Sequence, residues 1–498
     1  MNQFFHRPAW QLAVFSGFLL GLSFQPFHLG FLAWVGLIPL YHIWINSDAN
    51  DNVRNGFLFG MTHNFVAFYW IGFNSGASFG VVFLSLIAAV LYLSLHWAVA
   101  GWIFGKLKSE KLNGIIFPFL LVSMEWIRSF GSLGFPWGNI ALSQLDWMPL
   151  LQIMEVTGSY GVTFWVVSLN VVLYMMLFQF DEQKKNGILI WIVMLGLWFF
   201  GRDRMNYFRD SDEHIEVAIL QPNIDPNAKW DMHIKEETIA YMDSLHGEAI
   251  NLKPDLILFP ETALPAYLKL NRRVRNMIQK RIDESGIPVL TGTVDRIKNS
   301  DGNKVYYNSS MFLSPKSSYI LYNKIHLVPF AEYIPFSAQF PLLKELNFGQ
   351  GNFTHGDEYT LFNWDGNGFS NLICYESSIP NLVRKFVQQG ARFLTIQTND
   401  GWLGESAGPY QHYNVARLRA IENRIPIVRS ANTGISGLIL ANGESVGEKP
   451  LETTHVFKVK VPLGNSGSFY SRNGDIFAMV CFVIFIFLGH RSWLKNQS

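Results

Sequence analysis

Three side chains in the second half of this 498-residue chain could work as one chemical set: Glu261, Lys324 and Cys374. Each lies at or just beyond the end of an apolar run that reads as a β-strand. Glu261 follows Leu256-Ile257-Leu258-Phe259-Pro260, Lys324 follows Tyr322-Asn323, and Cys374 follows the run from Phe369 to Ile373. Strand ends are where layered α/β folds gather their active-site groups. A cysteine nucleophile needs a base to take its proton and a positive group facing the oxyanion that forms on attack. Glutamate can supply the first and lysine the second, with the backbone N–H of Tyr375 as a further donor. Cys374 reads as sitting at a strand-to-helix turn, where the positive end of a helix favours thiolate. Taken singly, the three also suit ordinary roles: a helix-capping acid, a solvated lysine and a buried thiol.

The elements that must position them follow from the pattern after residue 214, where short β-rich runs alternate with helical stretches. Strands are expected over Glu216–Gln221, Asp255–Phe259, Pro288–Thr293, Val305–Leu313, Tyr319–Tyr322, Phe369–Ile373, Phe393–Gln397, Ile425–Arg429, Gly437–Leu440 and His455–Val461. Helices fit Ile234–Glu248, Arg272–Glu284, Ile379–Gln389 and Tyr410–Asn423. Several strand runs are almost continuously apolar, as strands covered on both faces would be.

The first part of the chain has a different composition. Residues 1 to 200 hold 16 charged side chains and residues 206 to 470 hold 54, so a membrane part and a water-soluble part are joined in sequence. Lysine plus arginine total 39 against 38 acids, and a net charge of +1 gives no reason to expect a nucleic-acid partner. The two cysteines, Cys374 and Cys481, argue against a disulfide framework. A bilayer core about 30 Å thick takes roughly 20 apolar residues as a helix. Candidate spans lie at about 10–26, 29–45, 56–73, 81–103, 113–130, 160–180, 187–200 and 475–489, about eight in all. The first lacks a small-residue cleavage site and is expected to stay as an anchor. Arg7, Arg54, Lys106, Lys108, Lys111, Lys184, Lys185, Arg491 and Lys495 then share one side, whereas loops 27–28, 74–78 and 131–159 carry no lysine or arginine. The positive-inside rule puts both termini in the cytoplasm and the 206–470 domain outside, between a 1–205 membrane domain and a final span with its tail, 471–498.

Ionisable groups at membrane depth are costly and therefore candidates for function: His63, His96, Glu125 and Arg128. The spacing of Glu125 and Arg128 favours a local ion pair. Gly134-Phe135-Pro136-Trp137-Gly138-Asn139 reads as an aromatic loop at the outer interface. Tyr333 to Leu343 is unusually apolar for a loop and is expected to form a lid that dips toward the bilayer.

Longer motifs surround the chemical set. Phe259-Pro260-Glu261-Thr262, the run from Tyr322 to Phe330 (Tyr-Asn-Lys-Ile-His-Leu-Val-Pro-Phe) and Ile373-Cys374-Tyr375-Glu376 resemble the Glu-Lys-Cys motifs of the carbon-nitrogen hydrolase (nitrilase) superfamily. More narrowly, the whole chain looks like the apolipoprotein N-acyltransferases, the membrane enzymes that complete bacterial lipoprotein maturation. Gln221-Pro222-Asn223 with Trp230, Thr398-Asn399-Asp400-Gly401-Trp402, Gly408-Pro409-Tyr410-Gln411-His412 and Arg419-Ala420-Ile421-Glu422-Asn423 support the likeness. Ala331 stands where glycine is expected and Leu403 where phenylalanine is.

The resemblance implies a polytopic α-helical membrane domain joined to an α/β nitrilase-like αββα sandwich, with Glu261, Lys324 and Cys374 as the triad. It implies that Glu332 and Glu376 are nearby carboxylates that orient Lys324 or tune Cys374, and that Tyr375 and Trp230 shape the acyl and amine sites. The reaction implied is a ping-pong acyl transfer in the bacterial inner membrane, on the periplasmic side. The donor would be a phospholipid such as phosphatidylethanolamine, and the acceptor the α-amine of a diacylglyceryl-cysteine on an apolipoprotein. No metal or cofactor is implied. A membrane-tethered amidase acting on a small amide would share the triad but gives no reason for the spans.

Overall fold

The computed structural model describes residues 2–109, 111–178, 180–298, 302–337, 339–340, 352–464 and 467–495. The chain forms two compact units, one of Met1–Gly72, Val82–Asn206 and Asn473–Ser498, the other of Phe73–Val81 and Tyr207–Arg472.

The first unit is helical, and every apolar stretch read as a span lies on helix: Ala9–Leu22, Ile38–Asn46, Ala49–Phe68, Phe79–Leu107, Asn113–Arg128, Ser159–Phe178, Phe180–Tyr207 and Ile476–Lys495. Among the described residues, Phe79–Leu107, Ser159–Phe178 and Ile476–Leu494 are long and apolar enough to cross a membrane, and Ala9–Leu22 and Gly30–Asn46 are shorter apolar helical segments. Small residues bring these helices close. A Cβ on Gly17 would fall 2.5 Å from the Phe59 carbonyl oxygen, so glycine permits the helix–helix contact there.

One expectation fails inside this unit. Glu125 and Arg128 form no ion pair. Glu125 accepts from the Ile140 N–H at 2.8 Å and the Thr163 hydroxyl at 2.6 Å, while Arg128 Nη2 donates to Asn139 Oδ1 at 3.2 Å. The chain after Arg128 folds back and offers each group a nearer partner than the other. The loop at 134–139 is packed within this unit: Pro136, Trp137, Gly138 and Asn139 are buried, and Trp137 lies 5.2 Å from Trp70. His63 is packed among Phe24, Phe59, Phe68 and Trp97, and His96 Nδ1 lies 3.2 Å from the Tyr92 carbonyl oxygen one turn back. Cys481 is a free, buried thiol beside Val122, Tyr160 and Ala478.

Among the described residues the second unit contains twelve strands: β1 (His214–Gln221), β2 (Leu256–Leu258), β3 (Val289–Lys298), β4 (Lys304–Leu313), β5 (Ile320–Asn323), β6 (Phe362–Trp364), β7 (Asn367–Ile373), β8 (Phe393–Thr398), β9 (Ile427–Ala431), β10 (Ser436–Ile439), β11 (Ser445–Lys449) and β12 (His455–Pro462). They make two six-stranded sheets, ordered β12-β1-β2-β3-β4-β5 and β11-β10-β9-β8-β7-β6. Alternation along each strand sorts side chains to two faces. Val217, Ile219, Leu256 and Leu258 of the first sheet join the core that also holds Phe369, Ile373 and Phe393 of the second, and Phe312 packs edge-on to Phe369. The intervening Ala218, Leu220 and Ile257 face helices Lys235–Asn251 and Arg272–Ser285, through Ile239, Met242, Ile278 and Ile282. Helices Pro380–Gln388 and Ala407–Asn423 pack on the second sheet. The result is a two-sheet sandwich with helices outside.

A polar belt crosses the sheet–sheet interface. Gln397 of β8 donates through Nε2 to the Phe259 and Leu290 carbonyl oxygens at 2.7 and 3.2 Å, and accepts from Ser310 of β4 at 2.5 Å. Asn371 of β7 donates to Ser310 Oγ at 2.7 Å. Buried polar groups need such partners, and these ones fix the two sheets against each other.

Candidate active site

Glu261 leaves the first sheet just after β2. The turn that carries it is tight: Gly292 N–H donates to the Pro260 carbonyl at 3.2 Å, Ala263 N–H donates to the Gly292 carbonyl at 3.2 Å, and Thr262 has φ +43°. Lys324 follows β5, its backbone N–H held by the Asn308 carbonyl at 2.8 Å. Cys374 comes from the other sheet, immediately after β7, with φ +53°. A positive φ is uncommon for a residue with a Cβ and marks a turn that its surroundings must hold in place.

Cys374 lies at the expected strand-to-helix turn, but the expectation that this favours thiolate is corrected here. A 3₁₀ turn, Cys374–Ser378, follows β7, and the helix begins only at Pro380. Burial pushes the Cys374 thiol up to about 12, Glu261 adds to the rise, and Lys324 opposes it only in part. Cys374 is therefore a thiol at rest, and its proton must leave as the sulfur attacks.

Glu261 and Glu332 meet at Asn308, whose Nδ2 donates to an oxygen of each, at 2.8 and 2.9 Å. Lys324 Nζ contacts both oxygens of Glu332, at 2.9 and 2.8 Å, and the Val328 N–H adds a third donor to Glu332 at 2.8 Å. Burial alone would lower the Lys324 pKa, but Glu332, Cys374 and Glu261 outweigh it and keep the ammonium charged. Burial raises Glu261 above the usual carboxylate range, with Glu332 adding to the rise and Lys324, Asn308 and Lys229 working against it. Glu261, Lys324 and Cys374 thus lie within reach of one another's charge, drawn from both sheets. Glu332 is where the resemblance leads one to look, against Lys324.

Glu376 lies near both Lys324 and Cys374 but bonds their neighbours. It is fully buried and touches neither the Lys324 ammonium nor the Cys374 thiol. Its Oε1 accepts from the Tyr322 hydroxyl and the Ile325 and His326 N–H groups at 2.7, 2.7 and 3.0 Å, and its Oε2 from the Ile373 N–H at 2.8 Å. It ties the turn bearing Cys374 to the loop bearing Lys324, and burial raises its pKa to about 7. Tyr375 is buried with its ring 5.8 Å from His326. Trp230 is 40% exposed and lies 6.2 Å from Tyr267, at a rim. Of the expected lid, Phe336 and Phe340 are exposed apolar side chains, Phe336 with φ +61°, whereas residues 338 and 341–343 lie outside the described residues.

Two features escaped sequence reasoning. Lys229 is buried, and its Nζ donates to both the carbonyl and the hydroxyl of Thr262 at 2.9 Å. Behind Cys374, His412 Nε2 lies 3.1 Å from the Cys374 carbonyl oxygen, and its Nδ1 lies 2.7 Å from Asp400, which Arg429 holds at 2.7 Å on its other oxygen. Burial would raise Asp400, but Arg429 and His412 hold it well below the usual carboxylate range. The Asp400-Gly401-Trp402 and Gln411-His412 segments were the available signal for this second group. A cysteine with a nearby carboxylate and ammonium can form and hydrolyse or transfer an acyl thioester.

The apolipoprotein N-acyltransferase N-terminal domain model matches residues 16–172 and the carbon-nitrogen hydrolase model residues 216–469. An apolipoprotein N-acyltransferase of Geobacter metallireducens is 34% identical over 488 residues, covering 95% of this chain and 93% of that protein. One from Chlorobaculum tepidum is 32% identical over 503 residues, covering 94% of each. A solved amidase from Nesterenkonia aligns with 56% of this chain and 96% of its own at 17% identity, with a TM-score of 0.38. With both domain models matched in order and relatives aligned almost end to end, the chain belongs to the apolipoprotein N-acyltransferase family.

Proposed function

We propose that this protein moves a fatty acyl chain from a phospholipid to the α-amine of the diacylglyceryl-cysteine at the N-terminus of an apolipoprotein, through a thioester on Cys374. The observation that carries this reading is Cys374 on a positive-φ turn within charge reach of Glu261 and Lys324, in a chain whose family is that of the N-acyltransferases.

In the first half-reaction Glu261 takes the Sγ–H proton as the sulfur lone pair forms a bond to the ester carbonyl carbon. The negative charge moves to the carbonyl oxygen, facing the Lys324 ammonium and the Tyr375 N–H. Collapse breaks the C–O bond, the lysophospholipid oxygen takes the proton from Glu261, and the acyl chain stays on sulfur. In the second half the amine lone pair attacks the thioester carbonyl. An α-amine has a pKa of about 8, so part of it is neutral at pH 7 and Glu261 takes the proton released as the C–N bond forms. Collapse expels Cys374 sulfur, which regains that proton. Glu332 orients Lys324, Glu376 holds the two loops together, and Tyr375 with Trp230 shapes the substrate openings.

The membrane arrangement belongs to the same proposal. About eight spans would place both termini in the cytoplasm and the second unit on the periplasmic face of a bacterial inner membrane, where phospholipid and translocated lipoproteins meet. The test is the intact mass of the detergent-purified protein after incubation with phosphatidylethanolamine and no acceptor. A hydroxylamine-labile gain of one fatty acyl mass on wild type, absent from Cys374→Ala, is expected. No adduct, with the phospholipid intact, would turn attention to small amides and the tethered-amidase reading.

A further inference from the structure

The reaction centre holds more negative charge than Lys324 can balance. Glu261 and Glu332 share one Asn308 amide, and both contacts of the Lys324 ammonium go to Glu332. Buried ionised groups persist only where opposite charge compensates them, and two carboxylates in one site otherwise keep a proton between them. Glu332 has the Lys324 ammonium and the Val328 N–H as partners that Glu261 does not share. The proton would then rest on Glu261, the group that has to accept one.

A second cation also bears on Glu261. Lys229 is only 3% exposed, and its ammonium is fixed by both oxygens of Thr262, the residue next to Glu261. Glu261 is faced by Lys324 and Glu332 from the loops after β5, by Lys229 from the segment after β1, and by Cys374 from the second sheet. Glu376 bears on Lys324 and has four donors of its own, and Asp400 bears on Cys374 and has Arg429.

We propose that Lys229 is a positioning residue of the reaction centre, supplying a second positive charge beside Glu261 and so keeping Glu261 in its proton-accepting form. Burial lowers the Lys229 pKa to about 8, which leaves it an ammonium at pH 7. The inference rests on the acyl-transfer reading for its kinetic test, but not for its spectroscopic one.

Thioester formation from phosphatidylethanolamine is measured against pH, in single turnovers, for wild type, Lys229→Met, Lys229→Gln and Lys229→Arg. Loss of the charge moves the acid limb of Met and Gln upward by at least one pH unit. At the wild-type midpoint their rates fall at least about fivefold, approaching tenfold well below it, and they converge on wild type at high pH. Arginine keeps the limb where it is. A slowing of Met and Gln by the same factor at every pH is what a packing role alone gives, and it overturns the proposal. If wild type itself takes no acyl group, the acyl-transfer reading fails while Lys229 is still decided by infrared difference spectra of wild type against Glu261→Gln at pH 7. These need no folded Lys229 variant. The expected result is no carboxylic-acid C=O band from Glu261; such a band in wild type refutes the charge-balance role.

Discussion

Gly292 of β3 packs directly on the turn of Glu261: a Cβ at Gly292 would fall 2.7 Å from Glu261 Cα, and 2.4 Å from the Thr262 nitrogen. Both neighbours are backbone, so neither can swing away. Gly292→Ala should therefore move the carboxylate, not merely crowd a side chain. Overpacking of this kind costs about 1–3 kcal/mol, and a displacement on the order of 1 Å in a reacting group can cost roughly 100-fold in rate. A thermal melt lowered by several degrees, together with thioester formation slowed far beyond that loss of stability, is the expected pair of results. Normal turnover in the alanine variant would mean that the turn has slack.

Glu261→Gln removes the base and leaves the shape. General-base removal costs about 10²–10⁴-fold. Burial still raises the Cys374 thiol in the variant, though without the share of the rise that Glu261 adds in wild type, so the thiol form predominates at neutral pH. Its residual acylation rate should climb about tenfold per pH unit across the alkaline range, following the thiolate. A residual rate flat with pH would mean that the thiol loses its proton by another route.

Glu332→Gln should strand the Lys324 ammonium in a buried site. Removing one partner of such a pair costs about 3–5 kcal/mol, most of it the uncompensated charge. Pairing it with Lys324→Met should restore much of the denaturation midpoint while activity stays absent. If the double variant is no more stable than the single one, the two groups are not coupled as their geometry indicates.

Glu376 gives a pH test of stability. Its folded pKa, raised by burial to about 7, exceeds the unfolded carboxylate value near about 4.3. Between the two the folded state binds more protons, so this residue's contribution to stability falls as pH rises from about 4.3 to about 7. The melting temperature of wild type minus that of Glu376→Gln should therefore decline across that interval and level off above it. A difference that grows with pH would reverse the assigned sign.

What the sequence made legible was what burial writes into it. Leu256-Ile257-Leu258 and Phe393 to Gln397 are covered on both faces and read plainly as strands. The strands that sequence reading did not list, β6 and β11, are the two edges of the second sheet. Edge strands need no continuous apolar run, and Ser445–Lys449 is largely exposed. Lys229 escaped because a lysine between Asp225 and Asp231 has the composition of a solvated turn, and only the fold buries it against Thr262. Glu125 and Arg128 misled for the converse reason: spacing along one helix reports who is near in sequence, whereas Thr163 and Ile140, the partners taken by Glu125, come from other segments.

β12 closes the first sheet by pairing antiparallel with β1, bringing Pro462 into register with His214. The strand-bearing part of the second unit, from His214 to Pro462, therefore begins and ends on neighbouring strands. In topological terms it is an inserted module, whose entry and exit lie side by side like the two ends of a loop. Such modules tolerate rewiring, because joining adjacent ends strains nothing. Linking its two ends and opening a surface turn elsewhere would yield a circular permutant that retains every strand pairing, with Glu261, Lys324 and Cys374 presented in a new chain order.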